Sequence, residues 1–314
     1  MSGAAGAWIR RRGMALIAAG AALGIAVPAL AEALRPLLLW MSLGTMALAL
    51  LRVEPAALSG VLRRPGLALL VLGWVTLGVP LLVYAALSPL LPADSPFLAA
   101  AVLIAATPSV MSAAVFAILL GADAALLTVV AIPSNALAPA WLPATAAFMG
   151  VTAQVDPWAM ALRLAVLVGG SFGLAALAVR LVGRATLRGQ GPAIDTWIVL
   201  LVTASAIPCM DGVGAALAAR PGSFLLMLGF ALGLNLVLQA IGFGVFLAVP
   251  RKGALSAGLV SGTRNMVLLL AALGDPGESD LGLIVAAAQL SLFVMPVLVA
   301  PAYRRLGRAA GQDA

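Results

Sequence analysis

The sequence predicts an all-α polytopic membrane protein with ten transmembrane helices. Of the 314 residues, 63% are hydrophobic and 9% are charged, and the mean hydropathy is +1.14. A water-soluble domain carries about 25% charged residues, so this composition indicates a chain that lies in a lipid bilayer. Apolar stretches long enough to cross it, about 20 helical residues each, recur along the whole sequence, and we expect no appended soluble domain.

Ten apolar stretches define the predicted spans. They cover residues 13–31, 36–51, 66–89, 96–120, 123–149, 158–180, 193–211, 222–249, 253–274 and 280–303. The second is short, because Arg35 and Arg52 bracket it, and both side chains would have to extend their charged ends to the interfaces. The basic N-terminal head and the apolar stretch behind it are compatible with a cleaved signal peptide or with an uncleaved first span.

The distribution of basic residues predicts the orientation. With the N-terminus in the cytoplasm, the outer loops hold only Arg35 and Arg220, while Arg163 and Arg264 fall within spans. The inner loops and tails hold 14 of the 18 basic residues: Arg10, Arg11, Arg12, Arg52, Arg63, Arg64, Arg180, Arg184, Arg188, Arg251, Lys252, Arg304, Arg305 and Arg308. This asymmetry follows the positive-inside rule, so we expect both termini in the cytoplasm, at a bacterial inner membrane.

The same arginines account for the net charge of +7. Topology and the anionic lipid headgroups explain that charge, so the lipid bilayer is an expected partner and nucleic acid is not. The sequence leaves the oligomeric state open, and a homodimer is compatible with it.

The residue types present exclude several kinds of chemistry. Cys209 is the single cysteine and the chain has no histidine, which argues against a disulfide, a metal cluster and histidine-based acid–base catalysis. No nucleophile–base set, paired carboxylates at depth or phosphate-binding loop is visible. We therefore expect no cofactor, no metal site and no enzyme. A lipid-modifying enzyme would need a buried acid–base pair that the sequence does not contain.

Two spans that lie five apart share one layout. AVLIAATPSVMSAAVFAILLGAD, residues 101–123, and ALSAGLVSGTRNMVLLLAALGD, residues 254–275, each place a polar, helix-breaking segment between apolar halves. Proline removes a backbone donor, and glycine eases departure from helical geometry. Unwound backbone at membrane depth requires a covering of protein or of a watery cavity. The sequence thus predicts two inverted five-helix repeats, with helices 4 and 9 broken and crossing at mid-membrane.

These two regions resemble the bile acid:sodium symporter superfamily, which includes arsenite and organic-anion carriers. The resemblance rests on the T-P, P-S-N and W-L-P elements of residues 107–143 and on the asparagine-containing span at residues 258–274. It implies a ten-helix secondary transporter with two domains. Residues 1–60 and 153–220 would form a panel domain, from helices 1, 2, 6 and 7. Residues 61–152 and 221–314 would form a core domain, from helices 3–5 and 8–10.

The sequence departs from the sodium-coupled members of that superfamily at the ion site. Ala113, Ala114, Val260 and Arg264 stand where those members have side-chain ligands, and the third span lacks the glutamine that they use. Sodium is a hard cation that requires several oxygen ligands. We therefore expect the sodium sites to be absent.

Arg264 is the leading candidate for a functional residue. A charged side chain within a span costs at least about 2.5–3.5 kcal/mol, so the guanidinium is expected to meet an anion or a cluster of carbonyls. Two interpretations remain open: Arg264 binds an anionic substrate, or it is a structural latch on the broken backbone. The helix N-termini at the two breaks would favour an anion in the same space.

Further substrate-binding candidates are polar residues at or near the breaks. They are Ser261, Thr263, Asn265, Thr107, Ser109, Ser112, Asn135 and Gln289. Each has a structural alternative, because small polar side chains also cap helix breaks and join membrane helices by hydrogen bonds. Asp211 and Arg163 flank either an outer vestibule or a solvated interface, and Asp123 is expected to cap the fifth span.

The expected function is a secondary carrier that moves a small organic anion by alternating access. Proton symport, anion exchange and facilitated diffusion all remain open as coupling modes. The alternative, from another class, is a non-transporting membrane sensor or scaffold that has kept the carrier fold.

Cysteine labelling tests the predicted topology. Single cysteines placed in residues 53–65 and 181–192 of a Cys209→Ala background should label from the cytoplasmic side. Those in residues 90–95 and 275–280 should label from outside, because the basic residues hold the former loops in the cytoplasm. Labelling of residues 53–65 and 275–280 from one side would contradict the ten-span topology.

Overall fold

The protein is all-helical. The computed structural model describes residues 4–53, 65–111, 113–150, 155–274 and 279–309, and it is 86% helix, with no strand in these ranges. The helices are α1 (Ala4–Arg11), α2 (Gly13–Ala26), α3 (Pro28–Leu34), α4 (Leu38–Leu51), α5 (Pro65–Gly73), α6 (Val79–Leu87), α7 (Pro96–Ala106), α8 (Ala113–Leu120), α9 (Ala124–Phe148), α10 (Pro157–Leu164), α11 (Gly170–Val182), α12 (Arg184–Gly189), α13 (Gly191–Ala206), α14 (Val213–Ala219), α15 (Pro221–Val245), α16 (Arg251–Gly262), α17 (Met266–Leu273) and α18 (Asp280–Ala309).

Several helical stretches are long and apolar enough to cross a membrane. Among the described residues there are six: Pro28–Leu51, Pro65–Leu87, Ala124–Phe148, Pro157–Val182, Gly191–Ala219 and Pro221–Val245. The two halves of α18, which meet near Pro296 at an angle of 49°, make a seventh if they are taken together. The chain is therefore an all-helical integral membrane protein.

The other predicted spans coincide with short or interrupted helices. α2 has 14 residues, and the predicted fourth and ninth spans are each divided into two helices, α7 with α8 and α16 with α17. A helix of 14 residues is shorter than the bilayer core requires. The ten-span arrangement and the inverted repeat accordingly stay predictions.

The boundaries of the first two predicted spans require correction. In the first predicted span, α2 ends at Ala26 instead of residue 31. The second span begins at Pro28 instead of residue 36. Val27 leaves the α conformation (φ −126°, ψ 76°) because a residue before proline avoids it, and Pro28 then starts the new helix. As a result, Arg35 lies within a helical stretch, in a 3₁₀ turn, and not at its end.

Two of the helices that flank the breaks lie in the interior. α7 is buried from Leu98 to Ala106, and α17 is buried except at Val267 and Leu273. By contrast, the longer helices expose large apolar side chains, such as Leu69, Leu70 and Leu177, on their outer faces. Because lipid rather than water would meet those faces, the arrangement encloses the two breaks within the protein.

Both breaks occur where the sequence predicts them. α7 ends before Thr107, which is extended because Pro108 follows it. α16 ends at Gly262, and α17 begins after Asn265, whose side chain accepts a hydrogen bond from the Leu268 amide at 3.1 Å. This is a standard N-cap, which satisfies one of the free amides at the start of the helix.

A third irregularity interrupts the helix that runs from α5 to α6. Residues Trp74–Gly78 form one turn of π-helix, in which the Val79 amide reaches back to the Trp74 carbonyl. A second π turn, Ala165–Gly169, joins α10 to α11. Such turns shift the hydrogen-bond pattern and often occur at functional sites.

Glycines allow α15 and α16 to pack closely. Gly258 and Gly262 form a G-x-x-x-G pair on α16, the small-residue spacing that lets membrane helices approach. A Cβ added at Gly262 would lie 2.9 Å from the backbone oxygen of Asn235, and one at Gly242 would collide with the Ser261 hydroxyl. The close approach brings the polar side chains of α15 to the end of α16.

Gly242→Ala should lower the melting temperature of the purified protein, because the new methyl group needs the space of Ser261 Oγ and comes within 2.8 Å of the Ala257 carbonyl. Gly233→Ala is the matched control, since it lies on the same helix with no atom within 4 Å of its added Cβ. The control should be neutral or stabilising by up to about 1 kcal/mol. Equal melting temperatures for the two variants would contradict the close packing.

Candidate functional site

The two helix breaks pair with each other through the backbone. Ser109 and Arg264 form an isolated antiparallel bridge. The Asn265 amide donates to the Pro108 carbonyl at 2.9 Å, and the Val110 amide donates to the Thr263 carbonyl at 3.3 Å. Buried backbone groups need hydrogen-bond partners, and each break supplies partners for groups that the other leaves free.

Arg264 lies at this junction and is 1% exposed. Its Nε donates to the Ser261 carbonyl at 2.9 Å, and its Nη1 donates to the carbonyls of Val75 and Thr107, both at 3.1 Å. The three acceptors come from the end of α16, the π turn and the break after α7. These are places where helix geometry leaves carbonyls without their usual partners. The contacts are those expected of a latch on broken backbone.

One nitrogen of Arg264 has no partner among the described residues. Nη2 is buried without a hydrogen bond to this part of the chain, and so is the hydroxyl of Ser291 on α18. Both residues border a small cavity of about 10 Å³, together with Ile104, Met266 and Leu292. A cavity of this volume accommodates about one water molecule.

The hydroxyl groups at the breaks bind nearby backbone. Oγ1 of Thr107 donates to the Leu103 carbonyl at 2.6 Å, and Oγ1 of Thr263 donates to the Leu259 carbonyl at 2.8 Å. Such bonds to the preceding helical turn are common for buried serine and threonine.

The two candidate serines at the breaks also cross-link segments. Ser261 Oγ donates to the Ala257 carbonyl and accepts from the Trp74 indole at 2.9 Å, while Ser109 Oγ donates to the Thr263 carbonyl at 3.3 Å. In this conformation both hydroxyls have partners within the protein.

The amide candidates divide into bonded and partly unbonded groups. Asn135 on α9 donates from Nδ2 to the carbonyls of Ser109 and Ala131, both at 2.8 Å, but its Oδ1 accepts from no residue that the structure describes. Gln289 on α18 is 3% exposed, and its Oε1 likewise has no partner within the described ranges. Asn265 is the N-cap of α17. Ser112 lies outside the described residues.

Sequence reasoning missed the contribution of the π turn. Val75 supplies only its carbonyl, so no side chain signals the role, and the local irregularities in the sequence are Gly73, Gly78 and Pro80. A hydrogen bond of Trp74 could have been predicted from the sequence, because a buried indole N–H usually has an acceptor.

A larger cavity, of about 700 Å³, lies at the C-terminal end of α17. Its wall includes Arg35, Arg163, Asp211 and Glu32. Asp211 and Arg163 therefore line the same cavity. Arg35 forms an ion pair with Asp211 and also donates from Nε to the Gly274 carbonyl at 3.5 Å.

Arg163 closes the last turn of α17. Its Nη1 donates to the carbonyls of Leu273, at 2.7 Å, and Ala272, at 3.3 Å. A cation at a helix C-terminus is favoured by the helix dipole. Gly274 is required beside it, because its φ is +78° and an added Cβ would collide with the guanidinium.

Fold and site together define an all-helical membrane protein in which two interrupted helices are joined by a buried arginine. Compared with protein-family models and with curated proteins, the chain matches none.

Arg264→Gln should lower the melting temperature, because the glutamine cannot reach all three carbonyls. A buried polar group that loses its partner costs about 1–3 kcal/mol, while removing a buried charge recovers part of that cost. We expect a net loss of about 2 kcal/mol on the same basis. Arg264→Lys keeps the charge without the planar geometry, so its melting temperature should lie between those of the wild type and Arg264→Gln.

Arg180→Gln is the control for this series, since Arg180 is an exposed arginine on α11. It should melt with the wild type. If Arg264→Gln also melted with the wild type, the latch contacts would not stabilise the fold.

Proposed function

We propose that the protein is a secondary transporter that moves a small organic anion by alternating access and is not coupled to sodium. The observation that carries the proposal is the backbone pairing of two interrupted helices around Arg264. In membrane transporters, substrate and ion sites lie where discontinuous helices meet, since their free backbone groups can bind ions. Interrupted helices enclosed by the protein are otherwise expensive to maintain.

The proposed architecture has ten transmembrane helices in two inverted repeats. In it, α7 with α8 is the fourth helix and α16 with α17 is the ninth. Residues 1–60 and 153–220 form the panel domain, and residues 61–152 and 221–314 form the core domain. The support comes from the two breaks and from the sequence resemblance to the bile acid:sodium symporter superfamily. Both termini are proposed to be cytoplasmic, at a bacterial inner membrane.

The proposed independence from sodium follows from the surroundings of Arg264. Its guanidinium binds three carbonyl oxygens, the ligand type that a hard cation would require. A fixed positive charge among these oxygens repels a second cation, and Ala113 and Val260 offer no side-chain oxygen. The protein's own charge thus takes the place of a bound ion.

The proposed substrate class follows from the 700 Å³ cavity, whose volume is in the usual range for small-molecule sites. Leu38, Leu39 and Ala271 provide apolar wall. Arg163 uses only Nη1 for its two carbonyl bonds, and its other nitrogens donate to no described residue. A guanidinium with free N–H groups beside apolar wall suits a carboxylate with an apolar body.

In the proposed cycle, Arg163 makes the first contact with the substrate, and the breaks become accessible later. Arg264, with Asn265, Thr263, Ser261, Thr107, Ser109, Ser112, Asn135 and Gln289, would then line the central site. The free Nη2 of Arg264 and the unpaired oxygens of Asn135 and Gln289 are the available groups there.

A non-transporting sensor or scaffold is the second candidate function. The hydroxyls at the breaks are bonded within the protein, and the space beside Arg264 is only about 10 Å³. In a protein that kept the carrier fold without transporting, the site at the two breaks would stay closed in this way at all times.

Uptake into proteoliposomes separates the two functions. A panel of labelled mono- and dicarboxylates should include at least one with saturable uptake, unchanged when choline replaces sodium, because no sodium ligands are available. Steep, saturable sodium dependence would contradict the uncoupled mechanism. Absence of saturable uptake by correctly folded protein would contradict transport and favour the sensor.

Arg163→Gln should raise the half-saturation concentration for that substrate, and the exposed Arg188→Gln serves as control. Hydrogen bonds to a charged group are worth about 1.5–3 kcal/mol, which corresponds to roughly a 10- to 100-fold change. Melting temperatures of both variants distinguish a binding defect from loss of fold. An unchanged half-saturation concentration would remove Arg163 from the substrate path.

A further inference from the structure

We propose that a single halide ion, chloride under cellular conditions, binds beside Nη2 of Arg264. The other two nitrogens of the guanidinium are saturated by the carbonyls of Ser261, Val75 and Thr107. Nη2 carries two N–H groups that are buried without an acceptor in the described chain. A buried donor of a charged group is costly to leave unpaired, so an acceptor from outside the chain is expected in the adjoining cavity.

The acceptor should be negatively charged. The described residues that line the small cavity include no aspartate or glutamate, and Arg264 makes no ion pair with a described residue. Carbonyl oxygens satisfy its hydrogen bonds but carry only partial charge. A charge removed from water is stabilised chiefly by an opposite charge at close range. Water in the cavity would satisfy the N–H groups and leave the charge uncompensated.

The cavity also provides a second donor. Ser291, 1% exposed on α18, borders it, and its hydroxyl has no hydrogen-bond partner in the part of the chain that the structure describes. A serine hydroxyl can rotate to donate to an anion. Asn235, another wall residue, already donates from Nδ2 to the Gly262 carbonyl at 3.1 Å. The two unpaired groups therefore come from α18 and from the break before α17, and both residues border the one cavity that the ion would occupy.

Size restricts the occupant to a single atom. The cavity volume of about 10 Å³ corresponds to one particle the size of water. Chloride is somewhat larger, and the wall contains Met266, whose flexible side chain adapts to small changes in volume. Sulfate, gluconate and carboxylates are too large. In this closed arrangement, size therefore separates the halide site from the 700 Å³ cavity at Arg163, and an organic anion would reach Nη2 of Arg264 only after the breaks become accessible.

The inference does not depend on transport. It needs only the closed arrangement described here, and a non-transporting protein would bind the halide equally well. Failure of the uptake experiments would therefore leave it intact, and its own failure would leave the transport proposal intact.

Chloride binding can be measured directly on the purified protein by the line width of the ³⁵Cl resonance in a gluconate buffer. We expect protein-dependent broadening that bromide reverses and sulfate does not. In parallel, chloride at constant ionic strength should raise the melting temperature with a saturable dose dependence, because a ligand of the folded state stabilises it.

Variants locate the ion. Ser291→Ala should weaken the chloride affinity by about 10-fold through loss of one donor. Ser205→Ala is the matched control, a serine as deeply buried whose hydroxyl already donates to the Leu201 carbonyl, and it should bind chloride as the wild type does. Arg264→Gln should abolish the broadening. Line width reports binding even if that variant melts early, provided that it is measured below its melting temperature.

Three results would overturn the proposal. The first is the absence of broadening and of a chloride-dependent melting temperature in the wild type. The second is a shift that sulfate reproduces, which would be a general salt effect. The third is undiminished chloride binding in Arg264→Gln. Each of these would leave a water molecule as the occupant of the cavity.

Discussion

The arrangement of this protein depends on the interaction between one guanidinium and three displaced carbonyl groups. The carbonyls of Val75, Thr107 and Ser261 lie where regular α-helix is interrupted, and Arg264 has been removed from water. Each side would be costly to bury alone, and each lowers the cost of burying the other. Because the three carbonyls are far apart in sequence, one side chain fixes three segments in space.

Neutral side chains of the surrounding helices also donate hydrogen bonds to groups at the breaks. Asn135 reaches the carbonyl of Ser109, Asn235 reaches that of Gly262, and the indole of Trp74 reaches Ser261. Because the unfolded chain in a bilayer also finds partners for such polar side chains, these bonds hold helices in register more than they add stability. The close approach of α15 and α16 at Gly262 lets the short side chain of Asn235 reach the Gly262 carbonyl.

The sequence was sufficient for some of these features and insufficient for others. Pro108 and Gly262 predicted the two breaks, and Asp123 caps α9 as expected, accepting from the Leu126 amide at 3.0 Å. These features depend on local backbone chemistry. The burial cost of Arg264 required a cluster of acceptors but did not identify them, because carbonyls are common to all residues. The pairing of Arg35 with Asp211 spans 176 positions and leaves no local pattern. The boundary at Val27 was missed because apolar residues continue across it.

The π turn at Trp74–Gly78 places a constraint on chain length. A π turn contains about one residue more than the α-helical turn that it replaces. Deleting one residue there would restore regular helix, return the Val75 carbonyl to the ordinary helical hydrogen-bond pattern and so remove an acceptor of Arg264. Leu69 and Leu70, more than 60% exposed on the outer face, would keep their direction, because the π turn and the α turn each complete about one rotation. In this stretch, evolution is freer to exchange side chains than to add or remove a residue.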